Sequence, residues 1–175
     1  MATVTIRPDS DNSVALSTFG GSGTNHWDKV DESTADNTDG VRTPAAAGAA
    51  IDRFGLPNLG LTGKINSVVV YSRMWSAATI YTYAAYRLLV RMGGTNYFSS
   101  AVALTTTATL YSNTWTTNPN TTAAWTWTNI NDLIAGVELT PGAYDLKSGT
   151  LVLGSCSQFY VTIDYTPTGQ ILVTI

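Results

Sequence analysis

Apolar side chains in the long runs of this chain recur at every second position and almost nowhere at the spacing of a helix, and that period decides what the chain can fold into. In residues 81–92 (YTYAAYRLLVRM), alternation sends Ala84, Tyr86, Leu88, Val90 and Met92 to one face and Arg87 and Arg91 to the other. Residues 156–166 (CSQFYVTIDYT) repeat the logic, with Phe159, Val161, Ile163 and Tyr165 inward against Gln158, Thr162 and Asp164 outward. A third long strand is predicted over 64–75 (KINSVVVYSRMW). β-Branched and aromatic residues fill these runs, and Gly, Pro, Asn and Ser separate them. Weaker strands are predicted at 2–7, 12–18, 25–30, 50–55, 109–116, 135–140 and 150–153, and a last one over 170–175 after the turn at Pro167 to Gly169. One short helix is expected at 128–134, capped by Thr128 or Asn129. The expected fold class is all-β: a two-sheet antiparallel β-sandwich, jelly-roll-like, over residues 25–175. Residues 1–24, ending in the Gly20 to Gly23 hinge (GGSG), read as an N-terminal extended arm or added strand.

Composition excludes several classes of function. A chain of 175 residues can bury a single core without staples, and 44% hydrophobic residues beside only 12% charged ones argue against disorder. Residues 92–131 carry no charge, yet they hold twelve Thr, a density that a bilayer core does not tolerate, so they read as β-structure and no membrane partner is expected. Nine basic residues scattered through a chain of net charge −3 leave no footprint for a phosphate backbone, which excludes nucleic acid. One His and one Cys cannot build a zinc cluster, a disulfide or a Cys/His nucleophile pair. No cofactor motif is present, and Cys156, inside an apolar segment, reads as a small buried hydrophobe. Residues 1–8 lack the basic start and apolar stretch of a signal peptide, so synthesis in the cytoplasm of a host is expected.

Few residues remain for chemistry. A hydrolytic triad would rest on His26 alone, and Ser22, Ser33 and Ser72 sit in no nucleophile elbow, which favours a surface or capping histidine. Asp28, Asp31, Glu32, Asp36 and Asp39 form an acidic stretch that could hold calcium, but their spacing is not that of an EF-hand loop and a solvated loop is the simpler reading. Asp52, Asp132, Glu138, Asp145 and Asp164 have no motif around them, and structural roles are expected for Asp52 and Asp132. Trp115, Trp125 and Trp127, near Tyr111 and Pro119, are the densest aromatic group and could stack on a sugar. Core packing with the indole N–H paired to backbone competes with that role and is favoured.

The blocks at 26–32 (HWDKVDE), 38–43 (TDGVRT), 50–56 (AIDRFGL), 65–70 (INSVVV) and 118–137 (NPNTTAAWTWTNINDLIAGV) together resemble a family of tailed-phage virion proteins with a jelly-roll-like β-sandwich. The likeness runs from about residue 24 to Tyr165. It implies a non-enzymatic structural protein of the virion, of capsid-decoration, head-fibre or tail-tip type, with no catalytic residues. The implied partners are the major capsid protein or other virion proteins, and the favoured role is decoration of the assembled capsid. A tail-fibre or baseplate receptor-binding module, or a carbohydrate-binding one with a glycan partner, is the alternative. Self-association is expected, as a trimer before a dimer, through Thr3, Val4, Thr5 and Ile6 of the arm and through Ile171, Val173 and Ile175 of the last strand.

Overall fold

The computed structural model describes residues 1–44, 48–77, 84–142, 144–145 and 150–168. Among the described residues fourteen strands follow one another: β1 (Ala2–Ile6), β2 (Ser10–Ser13), β3 (Ser17–Phe19), β4 (Gly40–Arg42), β5 (Ala50–Gly55), β6 (Lys64–Ser76), β7 (Ala85–Met92), β8 (Thr95–Phe98), β9 (Val102–Ala103), β10 (Thr109–Trp115), β11 (Ile134–Thr140), β12 (Tyr144–Asp145), β13 (Thr150–Leu151) and β14 (Gly154–Thr166). A 3-10 turn at Trp27–Lys29 and one helix, α1 (Trp127–Asn131), complete the described elements. Among the described residues no helix is long and apolar enough to cross a membrane.

Two six-stranded antiparallel sheets carry the molecule. The first has the order β10-β6-β14-β4-β3, with β1 added alongside β14, and the second has the order β2-β5-β11-β7-β8, with β9 also on β7. Within them the quartets β4-β14-β6-β10 and β5-β11-β7-β8 interleave along the chain, which is a jelly-roll path. The expected all-β sandwich is therefore the observed fold. Its core lies between the two inner faces. Val68, Val70, Met74, Phe159, Val161 and Ile163 of the first sheet meet Phe54, Leu88, Val90, Ala135, Val137 and Leu139 of the second, all fully buried. Phe54 and Phe159 touch across the gap, with ring centroids 5.1 Å apart. The alternation read in 84–92 holds: Ala84, Tyr86, Leu88, Val90 and Met92 are all buried.

Several expectations need correction. Of the two readings of residues 1–24, extended arm or added strand, the structure has the added strand. Val4 pairs with Ile163 and Ile6 with Val161, β2 lies against β5, and β3 lies against β4. The cause is strand length: β4 covers β14 only at Ser155 and Cys156, which leaves the far half of that long edge open for β1. The glycine segment is a packed turn and not a hinge, since Gly20 has a φ of 63° and a Cβ there would strike the Thr38 carbonyl. The strand expected over 12–18 splits in two, and the one over 25–30 is the 3-10 turn, started by Asp11, whose carboxylate accepts the backbone N–H groups of His26 and Trp27 at 3.0 and 2.8 Å. The helix begins one residue early because Thr126, not Thr128 or Asn129, caps it, in a capping box with Asn129. Gln158 faces outward as expected but is buried, because the register shifts between Cys156 and Gln158 and its amide donates to the Glu32 carbonyl at 2.7 Å. Ile171, Val173 and Ile175 lie outside the described residues, as do 81–83 of the strand expected from 81.

Candidate functional site

The tryptophans singled out from the sequence are packed into the molecule to different degrees. Trp125 is 4% exposed and donates its indole N–H to the Trp115 carbonyl at 3.0 Å. Trp127 donates to the Gly63 carbonyl at 2.9 Å and meets Tyr165 edge-on, and both Trp115 and Trp127 pack against the core. Trp125, buried and satisfied by a backbone carbonyl, is structural, while Trp115 and Trp127 are half-buried.

Several titratable groups are committed to the fold as well. His26 Nδ1 lies 2.5 Å from Oδ2 of Asp52, a fully buried carboxylate whose Oδ1 accepts the backbone N–H groups of Ala15 and Leu16. Asp52 thus fixes the crossing from β2 to β3 and the start of the 3-10 turn together. Burial pushes the Cys156 thiol up to about 12, although the Ser72 hydroxyl beside its sulfur at 3.0 Å opposes the shift. In the acidic stretch, Asp36 caps Thr38, which lowers its carboxyl below the ordinary value, and Lys29 pairs with Asp39 at 3.4 Å. Burial, reinforced by Asp39 and Asp31, raises the Glu32 carboxyl to about 7. Among the described residues no three His, Cys, Asp or Glu side chains converge as metal ligands.

What the sequence reading missed is the outer face of the first sheet. Alternation in β6 turns Tyr71, Arg73 and Trp75 away from the core that takes Val70, Ser72 and Met74, and the β14 register sets Tyr160 beside Tyr71. The two phenol rings stack at 4.8 Å and 12°, and the Arg7 guanidinium lies 5.7 Å from the Tyr160 ring. On the other side of Tyr71 the neighbour in β10 is the small Ser112. Further along β6, Trp75 meets Phe19 edge-on at 5.9 Å, with the Arg42 guanidinium 5.9 Å from the Phe19 ring. The Phe19 ring lies over Gly40, where a Cβ would come within 2.9 Å of it, so only glycine admits this placement. Arg73 stands between the two aromatic groups. Its Nε donates to Asn37 Oδ1 at 2.8 Å, which also accepts from Ser157 at 3.0 Å, and Asn37 holds this position from a φ of 62° that asparagine tolerates. Arg7 Nε donates to the Glu32 carbonyl at 3.3 Å. All four rings are half-buried, with part of each open to solvent.

No family model matches the chain, and no curated protein does. Among solved structures the chain is similar to a carbohydrate-binding module from Cellvibrio mixtus lichenase 5A, solved in complex with cellotriose, at 10% identity and a TM-score of 0.38, over 95% of this chain and 99% of that one.

On the outer face of the second sheet, which also carries Arg53 and Arg91, one arginine is closed off. Arg87 forks onto Glu138 with two bonds of 2.7 Å and lies 4.0 Å over Phe98, so its charge and ring are spent internally. On the first sheet, Arg7, Arg42 and Arg73 have no carboxylate partner among the described residues, where the ion pairs are His26–Asp52, Lys29–Asp39 and Arg87–Glu138. Tyr71 and Trp75 are four positions apart on one strand, or about 13 Å at the rise of β-structure. The face therefore offers two aromatic stations with three guanidinium groups around them that have no carboxylate partner among the described residues. The sequence signal was there in the Tyr71, Arg73, Trp75 alternation, but Tyr160, Phe19, Arg7 and Arg42 come from strands that only the fold brings alongside.

Proposed function

We propose that this protein is a carbohydrate-recognition β-sandwich whose binding surface is the outer face of the β6–β14 sheet. The observation that carries the reading is the pair of aromatic stations, Tyr71 with Tyr160 and Trp75 with Phe19, set on a rigid sheet and edged by hydrogen-bonding groups. The C–H face of a sugar displaces water from such rings at little entropic cost, while Arg73 and the exposed Asn37 fix its hydroxyls. Recognition of this kind needs no acid–base pair. The sequence resemblance to virion proteins supports placing the module on a phage particle, and the receptor-binding role at a fibre or tail tip suits this face better than capsid decoration. Lattice binding needs connected apolar area, and the large apolar side chains exposed among the described residues, Met1, Val14, Val102 and Leu110, come from separate parts of the chain. Thr3, Val4, Thr5 and Ile6 are committed to β14, so they give no support to a trimer or dimer held by an exchanged arm.

A glycan array followed by calorimetry on the full chain tests this reading. Tyr160→Ala and Trp75→Ala should each weaken a bound oligosaccharide roughly tenfold or more, and Trp127→Phe should leave affinity unchanged. Binding to assembled capsids by a protein that binds no glycan would overturn it.

A further inference from the structure

The guanidinium groups on this face narrow the class of sugar. In a chain of net charge −3, Lys29 is buried against Asp39 and Ser22 and Arg87 is paired with Glu138, while Arg53 and Arg91 of the second sheet and Lys64 at the far end of β6 have no carboxylate partner among the described residues and stand apart from the aromatic stations. Arg7, Arg42 and Arg73 share one sheet face, beside rings, and none forms an ion pair with a carboxylate among the described residues, although Arg7 stands near enough to Asp31 to oppose the rise of its carboxyl. Arg7 and Arg73 are each anchored through Nε, which leaves the terminal amino groups of each fork for a ligand, and Arg42 is held only against the Phe19 ring. A planar fork with free amino groups matches the two oxygens of a carboxylate or sulfate better than it matches a hydroxyl. A neutral sugar seated across the stations would cover these charges without pairing them, which costs free energy.

We infer that the ligand is an anionic oligosaccharide, carrying carboxylate or sulfate groups, that lies across both aromatic stations with its charged groups on Arg7, Arg73 and Arg42. The inference rests on the proposed glycan-binding face and gives it a substrate class. The length follows from the 71-to-75 separation of about 13 Å along β6, which one sugar ring does not span. Arg73, midway, takes the anion between the stations. The anion-binding area ends toward Asp164, whose carboxylate is held by Thr3 at 2.6 Å and Ser67 at 3.2 Å and repels a further negative group. A nucleic-acid strand is disfavoured, although rings and arginines also serve single strands, because three cations flanked by the Asp31 to Asp39 stretch cannot neutralise a phosphate at every unit.

Calorimetry on the full chain distinguishes the outcomes, using oligogalacturonate and heparin oligosaccharides as anionic probes, cello- and chito-oligosaccharides as neutral ones, and oligo(dT) as a nucleic acid. The expected result is binding of an anionic oligosaccharide that weakens with salt and is lost on shortening it to a monosaccharide. Arg73→Gln, with an unchanged melting temperature, should weaken the anionic ligand about ten- to hundredfold, as loss of a charge-assisted bond implies, and Arg73→Lys should restore part of it. Neutral oligosaccharides binding as tightly as anionic ones, with no response to Arg73→Gln, would overturn the anionic class and leave the glycan face standing. Binding of no probe sugar, or of oligo(dT) alone, would overturn both.

Discussion

Asp52 gives the sharpest test of how this fold is held. Its carboxylate is fully buried in β5 and serves three donors: the N–H groups of Ala15 and Leu16 at 2.7 and 2.9 Å and His26 Nδ1 at 2.5 Å. Asp52→Ala leaves these donors without an acceptor, the Leu16 N–H fully buried and the other two partly so. An orphaned buried donor costs about 1–3 kcal/mol. Removing a buried carboxylate also relieves its own desolvation, so the three losses do not simply add, and the net cost expected is about 3–5 kcal/mol. For a domain of this size that lowers the melting temperature by roughly 6–20 °C. Asp52→Asn keeps one oxygen for the two backbone groups and should cost only about 1–2 kcal/mol. Urea unfolding followed by far-UV circular dichroism measures both, and the denaturant slope should stay at the parent value. Combining Asp52→Ala with His26→Ala in a double-mutant cycle should return a coupling of about 1–3 kcal/mol. Asp52→Ala within about 1 kcal/mol of the parent, or equal to Asp52→Asn, would refute this account of the buried acceptor.

Glu32 predicts a pH dependence: its carboxyl titrates near 7 when folded against an ordinary 4.5, so the native state holds the proton better and stability falls as pH rises through that window. Glu32→Gln should be more stable than the parent above neutral pH by about 1 kcal/mol, less than the full shift implies because the carboxyl is partly solvated, and the gap should close in acid; a gap equal at every pH in urea melts would refute it. With its thiol pushed up to about 12 and fully buried, Cys156 should resist alkylation in the native state at mildly alkaline pH and react completely in urea, and rapid native labelling would count against that burial. Deleting residues 1–22 removes β1, β2 and β3, bares the edge of β14 and leaves Asp52 without its backbone partners, so the truncated chain should show no cooperative melt; a sharp transition would restore the separable arm.

Period-two alternation was enough to establish the all-β class and to assign the faces of the long strands, because which side a residue takes depends only on its parity along the strand. It placed Leu88, Val90 and Met92 inside before any partner strand was known, and the indole chemistry of Trp125 and Trp127 likewise pointed to the core. Counting one imidazole and one thiol was sufficient to set aside most catalytic constellations. Parity does not say which strands become neighbours. The open length of β14 that captures β1, the register shift that turns Gln158 toward the Glu32 carbonyl, and the approach of His26 to Asp52 all arise from contacts between distant stretches of chain. The aromatic face has the same origin: the sequence determined that Tyr71 and Trp75 look outward, while only the tertiary structure decided that Tyr160, Phe19 and three unpaired arginines stand beside them, because lateral order in a sheet is set by long-range packing and not by local period.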